Sequence, residues 1–123
     1  MKQTKTFSKA YKEFKANYAV YETCPVSETM KIIGGKWKPV ILYLISHDVN
    51  RFGEMMSEIK GISKKMLTNQ LRELERDGML HRKIYAEVPP KVEYSLSELG
   101  QSIKPVTKMM CTWGLENVLA KKI

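Results

Sequence analysis

Apolar residues in this chain recur mostly at helical spacing, with one short exception. Phe7, Tyr11, Phe14, Tyr18 and Tyr21 fall at intervals of four, three, four and three, which places five rings on one face of a helix over residues 7–21. Pro25 suits the first position of the next helix, with Cys24 at its N-cap and Gly34-Gly35 stopping it. A third helix begins near Lys36 and carries Trp37, Val40, Ile41, Leu44 and Ile45 inward, with Pro39 in its first turn and His47-Asp48 at its end. Phe52, Met55, Met56 and Ile59 then stand at i, i+3, i+4 and i+7, predicting a short amphipathic helix. After a turn at Gly61, Ser63 caps a helix whose buried stripe is Leu67, Leu71 and Leu74, and Gly78 is placed for a left-handed C-cap.

The helical period fails from Met79. Two strand-like runs, Met79–Tyr85 and Val92–Leu96, are joined through Glu87-Val-Pro-Pro-Lys91, whose prolines keep either strand from extending. Ser97 then caps a long helix to about Ala120, with Leu99, Ile103, Val106, Met110 and Trp113 spaced four, three, four and three, kinked by Pro105. The expected fold is mainly α with a small β-hairpin (α+β): a winged helix-turn-helix with flanking N- and C-terminal dimerisation helices. Residues 1–123 form one domain, divided into an N-terminal helical extension (1–23), a DNA-binding core and wing (51–96) and a C-terminal dimerisation helix (97–122).

Charge gives this pattern a direction. Lys and Arg total 21 against 13 Asp and Glu, a formal net charge of +8 over 123 residues. Such a surplus suits a polyanionic partner, because each neutralised phosphate releases a condensed counterion, although a merely solvated surface would carry it too. Placement favours the first reading. With the leucines inward, Lys64, Lys65, Thr68, Asn69 and Arg72 share the opposite face at offsets 0, 1, 4, 5 and 8, beginning at the Ser63 cap. Arg suits guanine, Asn suits adenine, and Lys and Thr suit backbone oxygens. Lys64 and Lys65 also occupy a first turn where the helix dipole disfavours cations by roughly 0.3–1 kcal/mol each. A helix optimised for stability alone would place acids there, whereas cations beside free N–H groups suit a phosphate. The hairpin adds Arg82, Lys83 and Lys91 as a second basic cluster, for affinity more than specificity.

One module offers too little contact to select a genomic site, so a homodimer on an inverted repeat is expected, with recognition helices about 34 Å apart. Phe7, Tyr11, Phe14 and Tyr18, with Val106, Met110 and Trp113, are the candidate dimer surface; packing within one subunit is the alternative for both stripes. Cys24 is the candidate reactive thiol, since the dipole at a helix N-terminus favours thiolate and Lys31 and Lys36 lie near in sequence; an inert buried cysteine is the alternative. Cys111 suits packing, or a disulfide across a dimer.

Other classes find less support. Cys24 as an enzyme nucleophile needs a convergent His, and His47 and His81 do not offer one, so no catalytic residue is assigned. A protein- or RNA-binding winged module would want aromatics on the basic face, and only Tyr85 is near. No His/Cys pair has zinc-ligand spacing, so neither metal nor cofactor is expected. The longest apolar run, Val40 to Ile45, is too short to span a bilayer, and the N-terminus lacks an export signal, so no membrane role and a cytoplasmic location are expected.

The run Cys24-Pro-Val, Ile33-Gly-Gly-Lys-Trp37, Arg51-Phe52, Gly61-Ile-Ser-Lys-Lys-Met-Leu-Thr68, Leu71-Arg-Glu-Leu-Glu75, Asp77-Gly78, Val88-Pro-Pro-Lys-Val-Glu-Tyr-Ser-Leu96 and Trp113 resembles the HxlR family over about residues 24–113. The resemblance implies a dimeric winged-helix transcription regulator related in fold to the MarR group, binding double-stranded DNA through Ser63–Arg72 in the major groove with the hairpin 79–96 as wing. It also implies that Cys24 can sense electrophiles or oxidants (quinones, aldehydes, hypochlorite), as in one branch of the family. A regulator with no thiol sensing, answering a small ligand or acting constitutively, is the alternative.

Overall fold

The computed structural model describes residues 6–122. Between residues 32 and 33 the chain divides into two compact units. In the first, helix α1 (Lys9–Tyr18) opens on Ser8, whose hydroxyl accepts from the Tyr11 N–H at 3.2 Å. The predicted aromatic stripe is present but shorter than one helix. Phe7 precedes the cap, its ring 5.1 Å from that of Tyr11; Phe14 and Tyr18 stack edge-on at 4.8 Å; Tyr21 falls in a 3₁₀ turn, Ala19–Tyr21, that ends at Glu22 in the left-handed region. Helix α2 (Pro25–Ile33) follows with proline first, as expected.

The second unit begins with α3 (Lys38–Ser46) and α4 (Phe52–Glu58), then α5 (Lys64–Arg76), strands β1 (Leu80–Tyr85) and β2 (Lys91–Leu96), and α6 (Glu98–Ser102) with α7 (Lys104–Gly114). Its core is Ile41, Leu42 and Ile45 of α3, Met55 and Ile59 around α4, Ile62, the three leucines Leu67, Leu71 and Leu74, and Met79-Leu80. Each fully buried leucine contributes about 1.5–3 kcal/mol of apolar burial. In α3 the inward set is shifted from the expected one. Leu42 is buried, while Val40 is exposed, because α3 meets α5 on one side and α7 on another.

Helix α5 ends as its sequence demands. Gly78 adopts φ +79°, its N–H reaches the Glu75 carbonyl, and the Met79 N–H reaches that of Leu74, a Schellman closure with Leu74 and Met79 both buried. The chain then enters an antiparallel pair in the register Leu80↔Leu96 through Tyr85↔Lys91. The Tyr94 N–H donates to the Asn50 carbonyl at 3.0 Å, fastening β2 to the loop before α4.

The predicted single C-terminal helix is corrected to two. Ser97 caps α6, accepting from the Gly100 N–H, but the helix stops at Ser102 and α7 restarts with Pro105 near its first position. Pro105 has no N–H for the carbonyl of residue 101, and its ring would collide there, so a break replaces the expected kink. Beyond Gly114 the chain widens into a π-type turn, Leu115–Leu119, and a final 3₁₀ turn, Ala120–Lys122. Gly100 and Thr107 are buried, whereas Leu99, Val106, Met110 and Trp113 are exposed. Of the predicted stripe only Ile103 is half-buried. No helix among the described residues is long and apolar enough to cross a membrane.

Candidate nucleic-acid interface and cysteine site

The helix pair α4–α5 turns at Gly61 (φ +87°), where a side chain would be strained, and this lets Ser63 cap α5 by accepting from the Met66 N–H at 3.0 Å. Once the leucines are buried, Ser63, Lys64, Lys65, Asn69 and Arg72 are exposed and Thr68 is half-buried. The Thr68 hydroxyl donates to the Lys64 carbonyl at 2.8 Å. The acids of α5 are engaged elsewhere. Glu73 holds the buried Lys38 ammonium at 3.0 Å, and Glu75 lies 3.8 Å from Arg82. Among the described residues no carboxylate pairs with Lys64, Lys65 or Arg72. The face is therefore cationic and hydrogen-bonding.

The hairpin does not keep its three expected cations together. Paired residues of an antiparallel ladder share a face, so Arg82 stands with Tyr94, and Lys83 and Tyr85 stand with Glu93 and Lys91 on the other side. Arg82 turns toward α5. It donates to the phenol of half-buried Tyr94, which burial pushes above the ordinary phenol range while Arg82 and Arg72 pull it down. On the opposite face the Lys83 and Lys91 ammonium groups lie 4.7 and 5.0 Å from the Tyr85 ring centre. Lys91 also pairs with Glu93 at 3.0 Å.

Two participants were missed by sequence reasoning. Arg51, at the N-cap of α4, donates from Nη2 to Glu93 Oε1 at 3.2 Å, and the Tyr85 hydroxyl donates to Oε2 at 3.3 Å. Glu93 is thus the meeting point of the residue before α4 and both strands of the hairpin. The available signals were an arginine where a cap would normally be Ser or Asp, and a single acid within the two strands of a basic hairpin.

In the first unit, the Cys24 carbonyl accepts from the Glu28 N–H at 3.0 Å, so the residue sits at the start of α2 as expected. Backbone N–H groups of Ser27 and then Val26 reach its sulfur and hold the thiol below its ordinary range, against a smaller opposing effect of burial. The anticipated help from neighbouring lysines is corrected. Lys31 pairs with Glu28 at 2.9 Å, and Lys36 lies 4.7 Å over the Trp37 ring. Cys111 is half-buried on α7, where its thiol shares a hydrogen bond with Tyr43 that raises the phenol's pKa. Both cysteines are free thiols. Of the expected dimer residues, Phe7, Tyr11 and Phe14 are exposed and Tyr18 is half-buried in the first unit, while Val106, Met110 and Trp113 are exposed on α7. Pro105, Val106, Met109, Met110 and Trp113 line one open apolar recess.

Comparison with known proteins agrees with this geometry. The HTH-type transcriptional regulator YdeP of Bacillus subtilis is 52% identical over 94 residues, covering 76% of this chain and 73% of its own. YybR of the same organism is 47% identical over 105 residues, covering 85% and 84%. Among solved structures, the redox regulator HypR in its oxidised form superposes with a TM-score of 0.72 at 48% identity, over 76% of this chain and 97% of that one. Reduced YodB from B. subtilis superposes at 0.64 with 32% identity, over 78% and 95%. The relatives are transcriptional regulators rather than enzymes, and the fold is their winged, MarR-like one. The model of the HxlR-like helix-turn-helix matches residues 32–122, and with these relatives it shows that the chain is a helix-turn-helix transcription regulator belonging to the HxlR-like family.

Proposed function

We propose that this regulator binds an inverted-repeat operator as a homodimer and that Cys24 tunes the binding by thiol modification. The observation that carries the first half is the α5 face: Lys64, Lys65, Asn69 and Arg72 exposed together, with the helix's own acids drawn off to Lys38 and Arg82. Donors of this kind, presented from a helix anchored by its leucines, suit the major groove, with Arg72 and Asn69 on base edges and the lysines and Ser63 on phosphates. Lys83 and Lys91 add backbone contacts from the wing, and Arg82 holds the wing against α5. The exposed apolar side chains of α7 and, separately in the first unit, the rings of α1 are the surfaces offered to the second subunit.

The thiol half is supported by the two backbone N–H groups at the Cys24 sulfur and by the likeness to HypR, a redox regulator solved in oxidised and reduced forms, and to YodB, solved after diamide treatment. An electrophile or oxidant of the quinone, aldehyde or hypochlorite class would modify the thiolate and change operator affinity.

The test is fluorescence anisotropy on a duplex carrying the inverted repeat from the promoter beside the protein's own gene. Binding should fall steeply with salt; Arg72→Ala should relax sequence preference by about 1–3 kcal/mol, and Lys64→Ala should weaken all duplexes alike. Equal affinity for scrambled duplex overturns the operator reading. Operator affinity indifferent to quinone and hypochlorite, with Cys24→Ser behaving as wild type, overturns the thiol reading and leaves the DNA reading intact.

A further inference from the structure

Arg51, Lys91 and Tyr85 converge on one carboxylate at the base of the wing. Arg51 Nη2 and Lys91 Nζ share Glu93 Oε1 at 3.2 and 3.0 Å, while the Tyr85 hydroxyl takes Oε2 at 3.3 Å. The Arg51 backbone N–H is itself held by Glu54 at 3.1 Å, and β2 is tied to the same loop through Tyr94 and Asn50. Two long cationic side chains from segments about forty residues apart are therefore fixed side by side. Each uses only part of its donor set on Glu93: a guanidinium offers five N–H donors and an ammonium three. Arg51 remains about half exposed and Lys91 about a third. They border an open recess of about 420 Å³ between the start of α4 and the hairpin turn.

We propose that Arg51 and Lys91 jointly grip one phosphate of the DNA backbone, and that Glu93 is the positioning residue that pre-orders the pair and so sets the angle of the wing. The inference rests on the reading that α5 and the hairpin face the duplex. Free lysine and arginine side chains lose rotamer freedom when they bind; a pair already ordered by a carboxylate loses less. Glu93 repels the phosphate, but two cations already neutralise it, so ordering outweighs repulsion. A second acid on the same recess, Glu87, supplies the contrast, because its carboxylate has no partner among the described residues. The two acids should therefore act with opposite sign.

The experiment is salt-dependent operator binding of the full chain by anisotropy, with thermal melting of each variant. Arg51→Ala is expected to weaken specific and scrambled duplexes alike by about tenfold and to lower the salt slope by about one. Glu93→Gln keeps the shape and removes a negative charge, yet should weaken binding several-fold and reduce the slope at least as much. In the Arg51→Ala background it should add little, since the two act as one unit. Glu87→Gln should bind as tightly as wild type or more so. Glu93→Gln binding as tightly as wild type, or Arg51→Ala leaving affinity and slope unchanged, overturns the proposal. If those variants match wild type while Lys64→Ala still weakens binding, the phosphate grip falls and the α5 reading survives. If wild type does not prefer duplex at all, both fall.

Discussion

Individual side chains here act through their nearest polar neighbours, and each such pairing has a measurable signature. Cys24 has its thiolate favoured by the Ser27 and Val26 N–H groups. In a Cys111→Ser background, iodoacetamide alkylation should therefore reach half its maximal rate at a lower pH than an ordinary thiol does; a midpoint at or above the ordinary one would contradict this local account. Glu93 is held below the usual carboxylate range chiefly by Lys91, with Arg51 and Tyr85 adding to it against a cost of burial, and Lys83 is the other cation on that face. A carboxyl depressed in the folded state contributes stability above its unfolded pKa, near 4.5, and loses it as pH falls through the lower folded value. Urea midpoints measured from pH 6 down to pH 3 should fall more for wild type than for Glu93→Gln. Gly100 is constrained by space: a Cβ there would run into the Met79 carbonyl and the Leu96 side chain. Gly100→Ala should cost about 1–3 kcal/mol or more in urea unfolding, and a neutral result would mean that the α6–β2 packing is looser than described.

At the scale of elements, α5 separates buried leucines from exposed polar side chains around its own circumference. Leu71 is 1% exposed and Arg72, one residue on, is exposed. Leu71→Ala should therefore destabilise by about 2–5 kcal/mol, while Arg72→Ala should leave the melting temperature within a degree or two and change only DNA preference. Both effects can be read by pairing thermal melts with anisotropy. Comparable losses of stability in the two variants would show that Arg72 is structural. The α6–α7 break follows a similar logic, since Pro105 decides where the helix stops and packing decides which side faces inward. Gly100 and Thr107 take the interior because they are small enough to let α6 and α7 approach β2 and α3. The bulky residues are left outside.

For the whole molecule, that exposed apolar side of α7 is the surface on which the proposed dimer would close. Val106, Met110 and Trp113 are all exposed there, and with Pro105 and Met109 they line one open apolar recess. Trp113→Asp should raise the dimer dissociation constant by at least about thirtyfold, the scale of a buried aromatic anchor. Sedimentation equilibrium would measure it, and operator affinity should fall with it because one half-site then binds alone. A Trp113→Asp protein that remains fully dimeric would move the interface away from α7. The net charge of +8 acts at this scale too, speeding encounter with DNA and making every affinity depend on salt.

Much of this molecule is written in spacings of three and four residues. The leucines of α5, the Ser63 and Ser97 caps, the Gly61 turn, the Gly78 closure and the cationic face from Lys64 to Arg72 all depend on neighbours within about one helical turn, so the sequence determines them by itself. The family resemblance was legible for the same reason, being a succession of such local signals. Tertiary structure decided the rest. It turned Leu99, Val106 and Met110 outward and Gly100 and Thr107 inward, buried Leu42 in place of Val40, and brought Lys91 beside Lys83 at the Tyr85 ring through the strand register. It also joined Arg51 to Glu93 over 42 residues of sequence. An amphipathic period says that one face of a helix will be covered. Only the path of the chain through space says by what.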